Sequence, residues 1–466
     1  MCTYNNILRK VAVSALTLAL CSNVEAQEFR TSYFMSTSDF RHQMNPALLD
    51  SAYVGIPVMG NIGIGVTGNI GLKNFVYKTA PGSKYDYTTF MSPDVSASEF
   101  LGDLHDNNRA DLYLNLNIAS IAFKAFNGMN LVELNVRSNT NIALPYSLFE
   151  FMKKAGEKEH YSIDDLGVRS QNYLELALGH SHQITDRLKV GGKMKFLVGV
   201  GYADAKVEKL NLTMNGDEWK VDGEIRAKAA LLDSKFEYDS PDKNSPDGRR
   251  RIDGIDISGF GIKGFGLAFD LGATYRVMDG LTVSAALTDL GFISWNDVMK
   301  ASSAGEYTFD GFDNIYVSGE NEDGNKLGDQ FERMGDDLKD IFAVYDDGDG
   351  SETTVLAATL NLGAEYEMPF YKPLRVGLLY TGRFNGLYTY HQAMLSANVR
   401  PVKWFEASVN TSLGSTGCSF GGVVNFRARH FNIFIGSDKF LGKVSKEFIP
   451  LNSCNASVNL GMSIPL

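Results

Sequence analysis

The chain has 466 residues, enough for two or three ordinary domains or one large barrel. Apolar residues make up 44%, Gly is high at 46, Pro is low at 12, and the formal charge is −11. That charge argues against a nucleic-acid partner, and beyond the N-terminus no apolar run has the length of a spanning helix.

Residues 1–26 carry the marks of a secretory signal: Arg9 and Lys10, the apolar run VAVSALTLAL, and Val24-Glu25-Ala26 as a small-residue cleavage site. The mature chain is expected to start near Gln27. Cys21 offers a lipoprotein reading, though Leu20 before it is bulky, and a retained anchor would need about twice the apolar length. Cys2 and Cys21 leave with the signal. Cys418 and Cys454 remain, either as a bridge or as two small strand residues.

Residues 27–58 (QEFRTSYFMSTSDFRHQMNPALLDSAYVGIPV) fit no strand pattern and are broken by Pro46 and Pro57. A hatch inside a barrel or a periplasmic extension would account for them. Residues 59–466 then read as a barrel.

Across that stretch apolar residues alternate with polar or tiny ones, the period of a strand. Leu188, Val190, Met194, Phe196, Val198 and Val200 oppose Lys189, Lys193 and Lys195. Phe265, Leu267, Phe269, Leu271, Ala273, Tyr275 and Val277 oppose Asp270, Thr274 and Arg276. Leu356, Leu360, Leu362 and Tyr366 oppose Thr359, Asn361 and Glu365, and Cys454 to Leu466 alternates to the last residue. Further strands are predicted near 60–70, 111–121, 131–142, 172–182, 206–215, 218–229, 281–293, 374–383, 390–400, 405–413, 419–428 and 430–436. Several exceed the usual strand of about five or six residues and suit a tilted bilayer crossing of about ten. A secreted β-sandwich also alternates, with shorter strands. Turns such as Asn127-Gly128 and Asp279-Gly280, together with loops short at one end and long at the other, favour the barrel. Trp295, Trp404 and Tyr380 are expected in interfacial girdles.

The long loops are polar. Residues 304–352 hold fifteen acidic and three basic residues. Within them, Leu327, Phe331, Met334, Leu338 and Ile341 have helical spacing, and residues 146–158 (YSLFEFMKKAGEK) predict a second short amphipathic helix. Both would cap the barrel mouth or form a loop subdomain. DDGDGSE at 346–352 faintly echoes a calcium loop, with Glu352 where the turn needs Gly. His180 and His182 share a strand face with Leu174, Leu176 and Leu178, so they are expected outward and not in a metal site.

Placing apolar residues outward leaves Lys189, Lys193, Lys195, Arg276, Arg375, Arg383 and Arg427 as lumen candidates, with Arg137, Arg400 and Arg429. Asp111, Glu133, Glu175, Asp270, Glu365 and Glu406 share that side. These charges either lace a plug into a filled barrel or line a passage for anions and acid-headed apolar tails. No G-x-S-x-G, HExxH or CxxC occurs, and the glycines of GFGIKGFG precede no helix, so neither an enzyme nor a cofactor is expected, although a barrel-embedded hydrolase stays as a third reading.

Asn45-Pro46-Ala47 resembles the hatch motif of the FadL-like long-chain fatty-acid transporters. The string YFMSTSDFRHQMNPALLDSAYVGIPVMGNIGIGVTGNIGL, with LPYSLFEFMKKAG and LTDLGFISW, is closer to an outer-membrane family of unknown function from the Bacteroidota, itself distantly similar to FadL-like and PorV-like barrels. The terminal Ile464-Pro465-Leu466 departs from the usual aromatic end. The resemblance implies an all-β transmembrane antiparallel barrel of about fourteen strands (twelve to sixteen), with an N-terminal hatch and short helices in long external loops. It implies outer-membrane location among lipid, and passage of small, hydrophobic or anionic amphipathic molecules. The alternative it leaves is a non-transporting scaffold that docks a secretion or surface-assembly protein.

Overall fold

A computed structural model describes residues 29–79, 87–215, 218–231, 233–245, 247–257, 261–303, 305–309, 343–384, 387–440 and 455–466. The expected signal, the helix expected within 327–341 and Cys454 lie outside them. Fourteen antiparallel staves form a closed wall. The first is in two pieces, Tyr53–Gly55 and Ile62–Gly68. There follow Asn107–Ala125, Gly128–Pro145, His160–Gln183, Leu188–Asn215, Gly264–Met278, Leu281–Ser302, Thr359–Glu367, Leu374–Phe384, Thr389–Val402, Phe405–Gly414, Gly417–Arg427, Asn432–Ser437 and Asn455–Pro465. The last stave closes on the first, with Leu460 opposite Ile62 and Pro465 opposite Tyr53. A proline is tolerated there because the ladder is ending, and Leu466 N–H bonds the Ala52 carbonyl at 3.0 Å instead.

The alternation decides between barrel and sandwich. Phe265 and Leu271 are 60% and 59% exposed, while Lys195 and Glu175 are 1% and 0% exposed. Oily side chains therefore face outward and charged ones inward, the reverse of a soluble sandwich and the pattern of a wall solvated by lipid. His180 and His182 stack on this outer face, with His180 bonded to Asn130 at 3.0 Å. No described helix is long and apolar enough to cross a membrane.

At one end the staves turn tightly. Phe126 and Asn127, both at positive φ (54° and 57°), make one hairpin, and Gly280 (φ 82°) serves another. At the other end the loops are long, and several staves run far past the rim. Leu188–Asn215 joins the predicted strands near 188–200 and 206–215 into one of 28 residues. Glu218–Leu231, Gly305–Phe309 and Tyr345–Val355 extend the sheet beside it. Helix α1 (Ala97–Gly102) and helix α2 (Tyr146–Lys154) sit at this end. Phe149, Phe151 and Met152 of α2 pack with Phe75, Phe90 and Phe100 and with Leu210 and Leu212 of the long stave. The mouth thus has its own apolar core.

Two breaks in alternation correct the sequence reading. Residues Thr288 and Asp289 both oppose the single Asp270, and Asp289 takes φ 60°. This bulge flips the faces of the rest of the stave. Trp295 consequently points inward, 0% exposed, stacks on Tyr202 and donates Nε1–H to Thr354 Oγ1 at 2.7 Å. It is no girdle residue, whereas Trp404 is 57% exposed and stacked on Phe426. Likewise residues 356–358 leave the ladder, and Leu356 turns in to join Trp295 and Ile293.

Candidate functional site

Residues 29–52 run inside the wall as three short 3₁₀ turns and connecting bends, and contribute no strand to it. Tyr53–Gly55, at the end of the stretch 27–58, already belongs to the sheet. Pro46 and the many Ser, Thr and Asn residues disfavour a ladder and favour local turns. Asn45 caps the turn Pro46–Leu48, its Oδ1 accepting from Ala47 N–H at 3.0 Å. The wall leaves room for it: a methyl group on Gly191 would run into the Pro46 carbonyl, and one on Gly272 into Asn45 Oδ1. Asn45, Pro46 and Ala47 therefore seat in a groove made by glycines of two adjacent staves.

Side chains of the wall hold the rest of this segment. Asp39 receives four donors: Arg427 Nη1 (2.6 Å) and Ser51 Oγ (2.6 Å) on Oδ1, Asn432 Nδ2 (2.8 Å) and Ser463 Oγ (2.7 Å) on Oδ2. Arg375 bridges Glu406 (2.7 Å), Glu365 (3.1 Å) and Ser36 Oγ (3.0 Å), and Arg400 also reaches Ser36. Thr37 N–H and Oγ1 both donate to Glu406. Lys189 donates to the Leu49 carbonyl at 2.8 Å and pairs with Asp50, which Arg41 also binds. Gln43 meets Glu133, the partner of Lys193 at 2.7 Å, and His42 bonds Tyr53 at 2.7 Å. Asp438 accepts from the backbone N–H groups of Arg30 and Thr31 at 2.9 and 2.7 Å.

Lys195 stands apart from this seat. It pairs with Asp289 (2.6 Å), Asp270 (2.8 Å) and Glu175 (3.6 Å), and Arg137 approaches Glu175 at 3.4 Å. Two expected lumen residues lie elsewhere. Arg276 has the inward parity but sits exposed at the short-turn rim, donating to the Asp186 carbonyl at 2.8 Å, and Arg429 is exposed in the turn after Arg427. DDGDGSE is no calcium loop. It lies in strand Tyr345–Val355, where Asp346, Asp347 and Glu352 pair with Arg250, Arg249 and Lys228.

Between the segment and the long-loop end lies a cavity of about 70 Å³, lined among others by Arg30, Asn115, Arg137, Asn139, Asp289 and Arg383. Of the expected lumen cations, Arg137 and Arg383 line this space. Above it Tyr388 folds inward, its hydroxyl donating to Asp111 and its ring lying 4.4 Å from the Arg109 guanidinium. The wall around the lumen is otherwise amide and hydroxyl: Asn117, Asn135, Asn361, Thr381, Asn398, Ser408 and Asn459 are all buried. Sequence parity found Lys193, Arg375 and Arg427, but not Arg30 or Asp39, which lie in a stretch without periodicity. Gly191, between Lys189 and Lys193 on the charged face, was the available sign that another backbone comes close.

No protein of curated function matches the chain. Among solved structures it is similar to the toluene transporter TbuX of Ralstonia pickettii, with 9% identity over 91% of this chain and 92% of that one and a TM-score of 0.42. It is also similar to the toluene transporter TodX of Pseudomonas putida (12%, 92% and 95%, 0.40) and to a Pseudomonas aeruginosa FadL homologue (9%, 95% and 97%, 0.38). A family profile matches residues 46–438, which runs from Pro46, after Asn45, through all but the final stave, and the chain belongs to that family, a family of unknown function (DUF5723).

Proposed function

We propose that this chain is an outer-membrane conduit for small solutes, closed by residues 29–52 acting as a hatch, after export with removal of residues 1–26. The observation that carries the reading is the contrast between wall and hatch. The wall closes by its own staves and is lined by amides, hydroxyls and charges, while the segment filling it is held by wall side chains and a glycine groove, with a backbone bond at its end where Leu466 N–H meets the Ala52 carbonyl. Several lumen amide oxygens, those of Asn398, Asn410, Asn425 and Asn432 among them, are buried without a partner among the described residues. Such groups suit a wall that meets water or polar solute in another state. Removing the segment leaves the closure of the barrel intact and bares a polar lumen. Small polar molecules fit that lining better than hydrocarbon does.

The test is conductance of the mature chain in planar bilayers against a variant lacking residues 29–51, a cut that spares the strand starting at Tyr53. An open step in the deletion variant supports the conduit; a deletion variant that folds and stays shut refutes it.

One feature favours the second reading, a scaffold. At about 3.3 Å per residue the 28-residue stave is roughly 90 Å long, against an apolar band of about 25 Å, so even tilted it projects well beyond the membrane. A partner protein that co-purifies with a non-conducting deletion variant would favour that reading.

A further inference from the structure

The turn between the ninth and tenth staves, Leu374–Phe384 and Thr389–Val402, lies at the long-loop end. Two of its residues, Leu387 and Tyr388, reach far across the wall. Tyr388 donates its hydroxyl to Asp111, and its ring lies 4.4 Å from the Arg109 guanidinium. Both partners belong to the second stave, Asn107–Ala125, which stands seven places from the ninth in either direction around a wall of fourteen. Leu387 reaches Gly167 of the fourth stave, where an added methyl would meet it at 3.2 Å. In a closed cylinder, a contact between staves half the circumference apart runs through the lumen.

Beneath this bridge the cavity extends from wall to wall. Tyr113 and Asn115 of the second stave and Thr381 and Arg383 of the ninth line it together, with Arg30 of the inner segment. We propose that Tyr388 is a specificity-determining residue, a crossbar that sets the largest solute able to pass between the long-loop end and the space over residues 29–52. This rests on the conduit reading above and adds the place of its size limit: small polar molecules pass the crossbar, and bulky ones stop before they reach the inner segment.

The crossbar is a side chain and can give way. Leu387 and Tyr388 lie outside the strands. Asp111 is 3% exposed, and its Oδ1 accepts from two neutral donors, the Tyr388 hydroxyl and the Asn141 amide. Water in a polar lumen can replace a neutral donor on a carboxylate, so the ring is latched and not locked.

The experiment uses the mature chain folded in detergent, with C418S and C454S removing the native thiols and T381C placing one in the cavity wall. Thr381 is 2% exposed and lines the cavity. Two methanethiosulfonates of the same chemistry and different size are compared, the methyl reagent and a rhodamine-bearing one. Y388A should speed labelling by the rhodamine reagent about tenfold or more, the worth of the lost latch, and labelling by the methyl reagent far less. Y388F, which keeps the ring and loses the hydrogen bond, should give a smaller gain, again for the rhodamine reagent. Heat-modifiable gel migration reports an intact barrel, and if Y388A does not fold the comparison is read from Y388F. An unchanged rhodamine rate, or an equal gain for both reagents, would overturn the proposal. Labelling does not depend on conduction, so the two ideas separate. A conducting deletion of residues 29–51, with a rhodamine rate indifferent to Tyr388, removes the crossbar and leaves the conduit. A rhodamine gain in Y388A beside a deletion variant that stays shut keeps the crossbar, over a blind cavity, and removes the conduit.

Discussion

Replacing Asp39 by Asn tests the seat of residues 29–52 at their most buried charge. The two side chains have the same shape, so packing is unchanged. All four partners of Asp39 are donors, two on each carboxylate oxygen. An amide must aim its own N–H₂ at one of those pairs; the serine hydroxyl there can turn and accept, but the Arg427 or Asn432 N–H loses its acceptor and faces another donor. Arg427 also loses its counter-ion, Asp39 having 0% and Arg427 19% side-chain exposure. Breaking a fully buried pair costs about 3–5 kcal/mol. Arg427 is partly exposed, so a smaller figure, about 2–4 kcal/mol, applies to the seat of residues 29–52. At 1.4 kcal/mol per factor of ten, the displaced state should become roughly thirty- to several-hundredfold more populated. Hydrogen exchange of peptides from residues 29–52, in detergent at neutral pH, reads that ratio directly. Exchange in the wall should not change. The double variant D39N/R427Q should recover part of the loss, because it removes the stranded cation. Unchanged exchange in D39N would refute the claim that this carboxylate holds the segment.

Other consequences are equally accessible. G272A should displace the Asn45-Pro46-Ala47 turn, where a methyl meets Asn45 and Pro46, raising the frequency of open events in bilayers while the barrel still assembles. In single-tryptophan variants, Trp404 should be quenched by brominated lipid, whereas Trp295, 0% exposed inside the wall, should be quenched neither by lipid nor by aqueous acrylamide. Glu150 of α2, outside the barrel wall, is held below the usual carboxylate range by its hydrogen bond from Lys158 at 2.8 Å and by Lys154. Because its folded-state pKa is depressed, this support is full above the ordinary glutamate value and is lost as pH falls through the lower folded value. The protection factor of residues 146–158, taken against the unstructured-peptide rate at each pH, should therefore fall below about pH 4 and stay flat between pH 6 and 8.

Much of the wall was legible because lipid and lumen impose a two-residue period. Leu176, Leu178, Met194 and Phe196 outside, and Glu175, Lys193 and Lys195 inside, follow from parity alone. The same rule failed at Trp295, since a bulge at Asp289 carries no marker other than an aspartate in a strand, and one extra residue reverses every face beyond it. It failed again at Leu356, where Ala357 and Ala358 gave no turn signal. Arg276 and Arg429 had the right parity at the wrong height, which alternation does not encode. The roles of the remaining cations depend on contacts across the whole chain. Arg427 meets Asp39 from 388 positions away, and Arg30 meets Gln392 across 362. Periodicity could place Arg427 on a face but had no means to name its partner.

The seam between Asn455–Pro465 and the two-piece first stave also ties the inner segment to the joint that closes the wall. Tyr53 follows directly on the inner segment and pairs with both the last stave and Asn107–Ala125. Ala52, just before it, is bonded to Leu466 across the same joint. Residues 29–52 are thus tethered at the closing seam, so a displaced segment stays leashed to the rim and has a fixed point from which to return.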